Sequence, residues 1–216
     1  MDLTVLTDYS DYYLAGFLTT IEASLLGLIG SFVLGIVIAV FRIAPFKPLN
    51  ALGTAYVEFI RNIPLLITVF IFYAGLPSIG IDMSGFVAGT LGLCVYTSAF
   101  IAEAIRAGIQ AVPAGQMEAA RSSGLTYIQA MRFIILPQAI RIVIPPLGNQ
   151  FLNLVKNSSI LAIVAGGDLM YQGDLVYSST FDTVSTYAFV AAFYLLLTIP
   201  LSQLVNYLER RMAKAY

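Results

Sequence analysis

Residues 14–41 read LAGFLTTIEASLLGLIGSFVLGIVIAVF, an apolar stretch whose one ionisable side chain is Glu22. A helix needs about 20 mostly apolar residues to cross roughly 30 Å of bilayer hydrocarbon, and this stretch is long enough. Its apolar residues are continuous rather than alternating, which favours a membrane helix over a strand of an outer-membrane barrel. Four further stretches of similar character follow, at residues 52–73, 86–105, 142–165 and 187–207. The sequence therefore predicts five membrane-spanning helices.

The composition also indicates a membrane protein. Hydrophobic residues make up 59% of the 216 residues and charged residues 11%, against roughly 45–50% and about 25% in soluble domains. The net charge of −1 leaves no basic surface for a nucleic acid, so we expect no nucleic-acid partner. With no histidine and one cysteine, the chain lacks the residues for a Cys/His zinc site, a histidine-based triad or an intrachain disulfide. We predict an all-α polytopic membrane protein in which residues 1–216 form a single membrane domain.

The charged residues predict the orientation of the chain, because Lys and Arg concentrate in cytoplasmic loops. Most of the 11 basic residues fall after the first span, between the third and fourth spans, or after the fifth. They are Arg42, Lys47, Arg106, Arg121, Arg132, Arg141, Arg210, Arg211 and Lys214. The other side, formed by the N-terminal arm and residues 76–85 and 166–185, holds every aspartate and no Lys or Arg. We therefore expect the N-terminus outside and the C-terminus in the cytoplasm.

The segment between the third and fourth spans, about residues 110–137, is too polar to cross the membrane. Pro113 and Gly115 are typical of the end of the third helix. Residues 116–123 (QMEAARSS) then favour a short helix that stops at Gly124. Residues 126–129 (TYIQ) match a capping box, which predicts a new helix from Thr126. The pattern predicts a short helix, a glycine turn and a second helix at the inner membrane surface.

One spacing within this segment is characteristic of a family. Glu118-Ala119-Ala120, Gly124, Ile134 and Leu136-Pro137 match EAA-x3-G-x9-I-x-L-P. This pattern resembles the loop of permease subunits in ABC importers that depend on a substrate-binding protein. Residues 56–66 (YVEFIRNIPLL), 102–109 (AEAIRAGI) and 147–160 (LGNQFLNLVKNSSI) are similar to the polar amino acid permease branch, and the resemblance covers about residues 16–212. Where the branch usually has Lys-Asp-Thr-Ser, this chain has Lys156-Asn157-Ser158-Ser159. Asn157 replaces the aspartate, so no role of that carboxylate is carried over.

The resemblance implies a type I ABC importer transmembrane domain in the inner membrane of a prokaryote. It implies that the loop helix docks on a separate ATPase subunit and transmits its closure to the spans. The coupling residues would be Gln116, Glu118, Ala119, Ala120, Arg121 and Gly124. The sequence itself has no G-x4-GK-[ST] phosphate-binding loop, so we expect ATP and Mg²⁺ on the ATPase, no cofactor in this chain and no enzyme activity of its own.

The expected partners are two ATPase subunits, an extracytoplasmic substrate-binding protein, an amino acid and the surrounding lipid. Five spans cannot form two inverted halves, so a second copy or a homologous permease subunit is also expected. A secondary transporter or channel driven by an ion gradient is the alternative, and a structural subunit of a membrane complex is a third interpretation. A neighbouring reading frame that encodes an ATPase would distinguish them.

Ionisable residues inside the spans need partners, because a charge near the bilayer centre costs about 2.5–3.5 kcal/mol. Glu58 and Arg61 lie near the inner end of the second span, and Glu103 and Arg106 near the inner end of the third. Their matching depth and balanced sign predict two ion pairs, Glu58–Arg106 and Arg61–Glu103. Both a structural role and a role as an inner gate fit this pattern.

A second group of polar residues predicts a substrate site. Asn149, Asn153 and Lys156 follow one helical stripe of the fourth span. Glu22 and Lys156 both lie about 12 Å below the outer surface at 1.5 Å of rise per residue. Neutral hydrogen-bonding groups and an anion would match part of an amino acid, and Glu22 would favour a cationic side chain such as arginine, lysine or histidine. The alternative is a structural Glu22–Lys156 ion pair.

Overall fold

The chain is described by a computed structural model that covers residues 1–213; Lys214, which the charge analysis places on the cytoplasmic side, lies outside the described residues. The described residues contain helices and turns and no strand. The helices are α1 (Thr4–Asp8), α2 (Ser10–Ile43), α3 (Lys47–Arg61), α4 (Leu65–Phe70), α5 (Gly85–Gln110), α6 (Ala114–Ser122), α7 (Tyr127–Ala130), α8 (Leu136–Asn157), α9 (Leu169–Thr180) and α10 (Thr183–Ala213). Two π-helical turns (Ile71–Gly75 and Met131–Ile135) and two 3₁₀ turns (Leu76–Ile79 and Ser158–Val164) extend these helices.

Among residues 1–213, four helical segments are long and apolar enough to cross a membrane: Ser10–Ile43, Gly85–Gln110, Tyr127–Val164 and Thr183–Met212. They correspond to the first, third, fourth and fifth predicted spans. A fifth crossing is reached if Lys47–Arg61 and Leu65–Ile79 are counted as one span. The all-α polytopic fold class predicted from the sequence is therefore confirmed.

The predicted second span, 52–73, is a bent pair of helices rather than one continuous helix. The chain turns by 108° between α3 and α4. The cause is Pro64, which lacks a backbone N–H and disfavours helical backbone at Ile63. Pro64 has extended backbone (ψ 144°) and caps α4, while the side-chain amide of Asn62 donates from Nδ2 to the Glu58 carbonyl at 2.6 Å and closes α3. The bend leaves Arg61 at the end of α3, beside the last turns of α5.

Helix α5 lies at the centre of the bundle and packs through glycines against its neighbours. An added Cβ at Gly35 of α2 would lie 2.6 Å from Ile101, and one at Gly30 would lie 2.7 Å from Cys94, so α2 runs parallel to α5. Gly108 approaches Val143 of α8 in the same way, while Gly89 approaches Leu161 beyond the other end of α8. Helix α8 therefore runs antiparallel to α5. Close backbone approach at small residues is the usual way in which membrane helices associate.

The aspartate-rich segments gather at one end of the bundle. The Asp2 amide donates to Ser185 Oγ at 2.8 Å, which joins the N-terminal arm to the start of α10. An apolar cluster there unites α1, α2, α9 and α10; it consists of Val5, Tyr13, Leu169, Val176, Phe189 and Val190. The start of α5 reaches the same end, because Gly85 packs directly on the Val164 carbonyl. Helix α6 lies at the opposite end, next to the last turn of α5 and the first turn of α8.

Candidate functional site

The segment around α6 is a helix, a tight turn and a second helix, as the sequence predicts. Gly124 has φ +86°, a left-handed conformation in which glycine is not strained. Its amide donates to the Arg121 carbonyl at 3.0 Å and the Leu125 amide donates to the Ala120 carbonyl at 3.2 Å, which together form a Schellman motif. The predicted capping box is present, since Thr126 Oγ1 accepts from the Gln129 amide and the Gln129 side chain accepts from the Thr126 amide.

One face of α6 is anchored and the other is free. Ala120 is buried, and Met117 packs against a small apolar cluster formed by Val112, Ile135 and Ala139. Gln116, Glu118, Ala119, Arg121 and Gly124, the remaining predicted coupling residues, are exposed. The cluster joins α6 to the end of α5 on one side and to the start of α8 on the other. A force on the exposed face of α6 would therefore reach both of these long helices.

Glu103 of α5 is the centre of an ion-pair cluster at the same end of the bundle. Arg106 Nη2 lies 2.6 Å from Glu103 Oε1, and Arg106 Nε lies 3.1 Å from Oε2. Arg42, at the end of α2, forms a further ion pair with Glu103 Oε2. Arg61 Nη1 is the most distant of the three cations, 3.9 Å from Oε2. The Arg42 side chain is only 7% exposed, so its charge depends on Glu103 for compensation.

The structure brings together three of the four charges that the sequence groups. Arg61 and Glu103 are paired, whereas Arg106 pairs with Glu103 and with Gln110 instead of with Glu58. Glu58 is exposed and lies near enough to Arg106 for a charge interaction only. Sequence reasoning missed Arg42, which was assigned to the loop after the first span. Helix α2 continues to Ile43, two residues further than predicted, and this keeps Arg42 within the helix and the bundle.

A polar cleft of about 250 Å³ lies between α5 and α8. Its lining consists of Tyr96, Thr97, Phe100, Gln150, Asn153, Leu154 and Asn157. Amides from α8 face aromatic rings and a hydroxyl from α5, and none of the lining side chains is ionised. The cleft is smaller than the roughly 300–1,000 Å³ of sites for drug-sized ligands, which suits one small polar molecule.

The predicted substrate residues do not form one site. Asn149 and Asn153 are both exposed, but only Asn153 lines the cleft; Asn149, one turn earlier, is not part of its lining. Lys156 faces a different cavity, between α8, α9 and α10, with Ser159, Tyr187 and Tyr194. Glu22 is exposed, and among residues 1–213 no ion pair joins it to Lys156. Asn149, Asn153 and Lys156 follow one stripe of α8, but they face different surroundings. The sequence alone does not show which helices lie around α8, so it could not predict this difference.

Asp168 is a second residue that the sequence did not single out, since it was grouped with the other aspartates on the predicted outer side. It is fully buried at the start of α9, where Oδ2 accepts from the Met170 amide at 3.0 Å. Thr20 Oγ1 of α2 accepts from the preceding backbone amide, that of Leu169, at 2.9 Å. Burial raises the pKa of Asp168 from 3.8 to about 7. These contacts fix the start of α9 against α2.

Comparison with known proteins agrees with this architecture. The family model described as "Binding-protein-dependent transport system inner membrane component" matches residues 31–214. The chain is 67% identical over 216 residues to "Probable glutamine ABC transporter permease protein GlnM" of Bacillus subtilis (strain 168), with 100% of both chains covered. It is 36% identical to "Glutamate transport system permease protein GluC" of Corynebacterium efficiens, covering 97% of this chain and 98% of that protein.

Solved structures show the same fold. The chain superposes on a chain of "Crystal structure of an amino acid ABC transporter with histidines" with a TM-score of 0.92 and 37% identity, covering 98% of this chain and 99% of that one. A chain of the MetNI methionine transporter, at 20% identity and a TM-score of 0.72, shows the same fold over 98% of this chain and 99% of its own.

These matches extend over most of the chain and agree with the EAA spacing, the helical bundle and the projecting α6. The matched family supplies the membrane component of ABC importers, in which ATP hydrolysis belongs to a separate subunit, so this chain is not itself an enzyme. The chain belongs to the binding-protein-dependent transport system inner membrane component family and is a polytopic, non-catalytic permease subunit of the amino acid ABC importer type.

Proposed function

We propose that this permease moves a polar amino acid with an uncharged side chain, glutamine being the first candidate, along the cleft between α5 and α8. The single observation that carries the proposal is the lining of that cleft, which offers amide and hydroxyl groups and no ionised side chain. Polar groups that hydrogen-bond a substrate amide disfavour analogues that leave them unpaired once the substrate covers them. The name of the 67% identical relative, which refers to glutamine, supports the same substrate class.

The cleft proposal predicts different effects at two asparagines of α8. Asn153→Leu removes an amide from the lining, so we expect glutamine uptake into proteoliposomes to fall by about tenfold or more. Asn149→Leu is the matched control, because Asn149 lies one turn away outside the lining and should leave uptake within about twofold. Uptake would be measured with the complete importer and its binding protein. Equal loss in both variants, or loss only at Asn149, would contradict the cleft as the substrate path.

The same preparation tests the cationic substrate that Glu22 suggested in the sequence. A tenfold excess of unlabelled arginine, lysine or histidine should leave glutamine uptake nearly unchanged, while glutamine itself competes. Strong competition by arginine, lost in Glu22→Gln, would favour the cationic class over the uncharged one.

We further propose that α6 is the coupling element and that ATP and Mg²⁺ are bound by the partner ATPase subunits. The exposed Gln116, Glu118, Ala119 and Arg121 would contact the ATPase. The anchored face of α6 packs on Val112 and Ile135, which lie at the ends of the two helices that form the cleft. Closure of the ATPase subunits would thus move both walls of the cleft. A second permease subunit, identical or homologous, would complete the importer.

Gly124 and Gly115 allow a matched test of this lever. An added Cβ meets no neighbour at either position, but only Gly124 has positive φ. Gly124→Ala should strain the turn by about 1 kcal/mol and lower ATP-driven uptake severalfold. Gly115→Ala should leave uptake unchanged, and Gly124→Asn should be tolerated because asparagine adopts this backbone readily. Equal uptake in Gly124→Ala and Gly115→Ala would show that the turn geometry is unimportant for coupling.

We propose that the end of the bundle that carries α6 faces the cytoplasm and that the N-terminus faces outside. Asp82 and Ser122 are exposed and lie toward opposite ends of the chain's bundle. In a Cys94→Ala background, a membrane-impermeant thiol reagent added to whole cells should label Asp82→Cys and not Ser122→Cys. Inverted vesicles should give the opposite result. Labelling of both positions from one side would overturn this orientation.

A further inference from the structure

The ion-pair cluster at Glu103 has more positive than negative charge. Arg42, Arg61 and Arg106 all lie within ion-pair distance of this one carboxylate. Counting the nearby Glu58 as well, three cations face two anions, which leaves an excess of one positive charge. This excess of positive charge attracts a further anion to the cluster.

Hydrogen-bond donors are also in excess. Arg42 Nε is buried and has no acceptor among the described residues. Arg106, in contrast, places two nitrogens on Glu103 and a third on Gln110. Arg61 is the cation that can accept a new partner, because its side chain is 37% exposed and its contact with Glu103 is 3.9 Å long. A guanidinium with free donors is well suited to binding a carboxylate through two hydrogen bonds.

The ion-pair cluster at Glu103 lies just beyond the α6 end of the cleft. Tyr96, Phe100 and Glu103 follow one stripe of α5, and the first two line the cleft. Glu103 lies three residues beyond Phe100, about 4.5 Å further along the axis. The guanidinium carbon of Arg61 lies 5.4 Å from the centre of the Phe100 ring, so the ring of the cleft wall supports the arginine. A molecule that moves along the cleft toward α6 reaches Arg61 next.

We propose that Arg61 binds the α-carboxylate of the transported amino acid at the α6 end of the cleft. The inference rests on the proposed function, in which the cleft carries the substrate. Every amino acid has this carboxylate, whereas the amides of the cleft contact the side chain. Arg61 thus selects amino acids as a class, and the cleft lining selects among them. Glu103 positions Arg61, and Phe100 holds its guanidinium plane.

The test compares binding of L-glutamine with binding of L-glutaminamide, in which a carboxamide replaces the α-carboxylate. Isothermal titration would use the purified complex of permease and ATPase subunits, without the binding protein. The native complex should prefer glutamine by about tenfold or more. Arg61→Gln should reduce that preference to about twofold or less, mainly by lowering the affinity for glutamine. Arg61→Lys should give an intermediate preference.

Arg132→Gln is the matched control, because Arg132 also lies over an aromatic ring, at 5.6 Å from that of Phe133, but is exposed and remote from the cleft. It should keep the native preference. If Arg61 has a purely structural role, Arg61→Gln would lower the affinity for both compounds equally and lower the melting temperature. This result would overturn the inference. Full preference in Arg61→Gln would overturn it while leaving the proposed function intact. If the native complex binds neither compound, the proposed function fails and this inference fails with it.

Discussion

Glu118→Lys is expected to abolish ATP-driven uptake. Glu118 is exposed on the free face of α6, so reversing its charge should leave the fold unchanged. The same change places a cation where the EAA pattern requires an anion on the proposed ATPase contact. Burial of an unmatched charge at an interface costs several kcal/mol, which is enough to detach or uncouple the ATPase. We expect substrate-stimulated ATP hydrolysis by the reconstituted importer to fall to its basal rate.

The control for this variant is Glu209→Lys, which makes the same change in charge on α10, near the same proposed side of the membrane. Glu209 belongs to no ion pair among the described residues, and its reversal should leave both uptake and hydrolysis close to native. Near-native stimulated hydrolysis in Glu118→Lys would show that α6 does not couple the two subunits.

Glu103→Gln is expected to destabilise the permease more than any other single removal of charge in this chain. Without the carboxylate, the nearly buried guanidinium of Arg42 loses its counter-ion and three arginines repel one another. Breaking a buried ion pair by removing one partner costs about 3–5 kcal/mol. With roughly 2–4 °C per kcal/mol for a chain of this size, the melting temperature should fall by about 6 °C or more.

Cys94 provides the measurement, because it is the one cysteine of the chain and is half-buried where it packs beside Gly30. A fluorogenic thiol dye reports its exposure as the purified permease is heated in detergent. Glu58→Gln is the control, since Glu58 is exposed and forms no ion pair in the described structure; it should change the melting temperature by about 1–2 °C at most. Equal melting temperatures for the two variants would mean that the Glu103 cluster does not stabilise the bundle.

The parts of the fold that the sequence predicted are those set by local patterns. Four spans follow from long apolar runs, and the turn at Gly124 and the capping box at Thr126 follow from residues at most a few positions apart. These signals need no knowledge of the neighbouring helices, since backbone preference and local hydrogen bonds determine them. The EAA spacing predicted the family for the same reason: its residues lie in one continuous segment.

The parts that the sequence did not predict depend on contacts between distant segments. The Arg42–Glu103 pair joins residues 61 positions apart and required α2 to extend two residues beyond its apolar run. The cleft needed the antiparallel packing of α5 and α8, which decides that Asn153 faces Tyr96 and Phe100 while Asn149 does not. The bend at Pro64 was visible as a proline in the sequence, but an apolar run on both sides of it favoured one helix.

In the proposed mechanism, an ATPase drives this permease through the exposed face of α6. The most direct measurement places a cysteine at Ala119, on that face, in a Cys94→Ala background and treats the assembled importer with a short thiol-reactive crosslinker. We expect a covalent product between the permease and the ATPase subunit, with a yield that changes when ATP is added. If the ATPase co-purifies but no crosslink forms from Ala119→Cys, or if no ATPase accompanies the permease, α6 is not the coupling element.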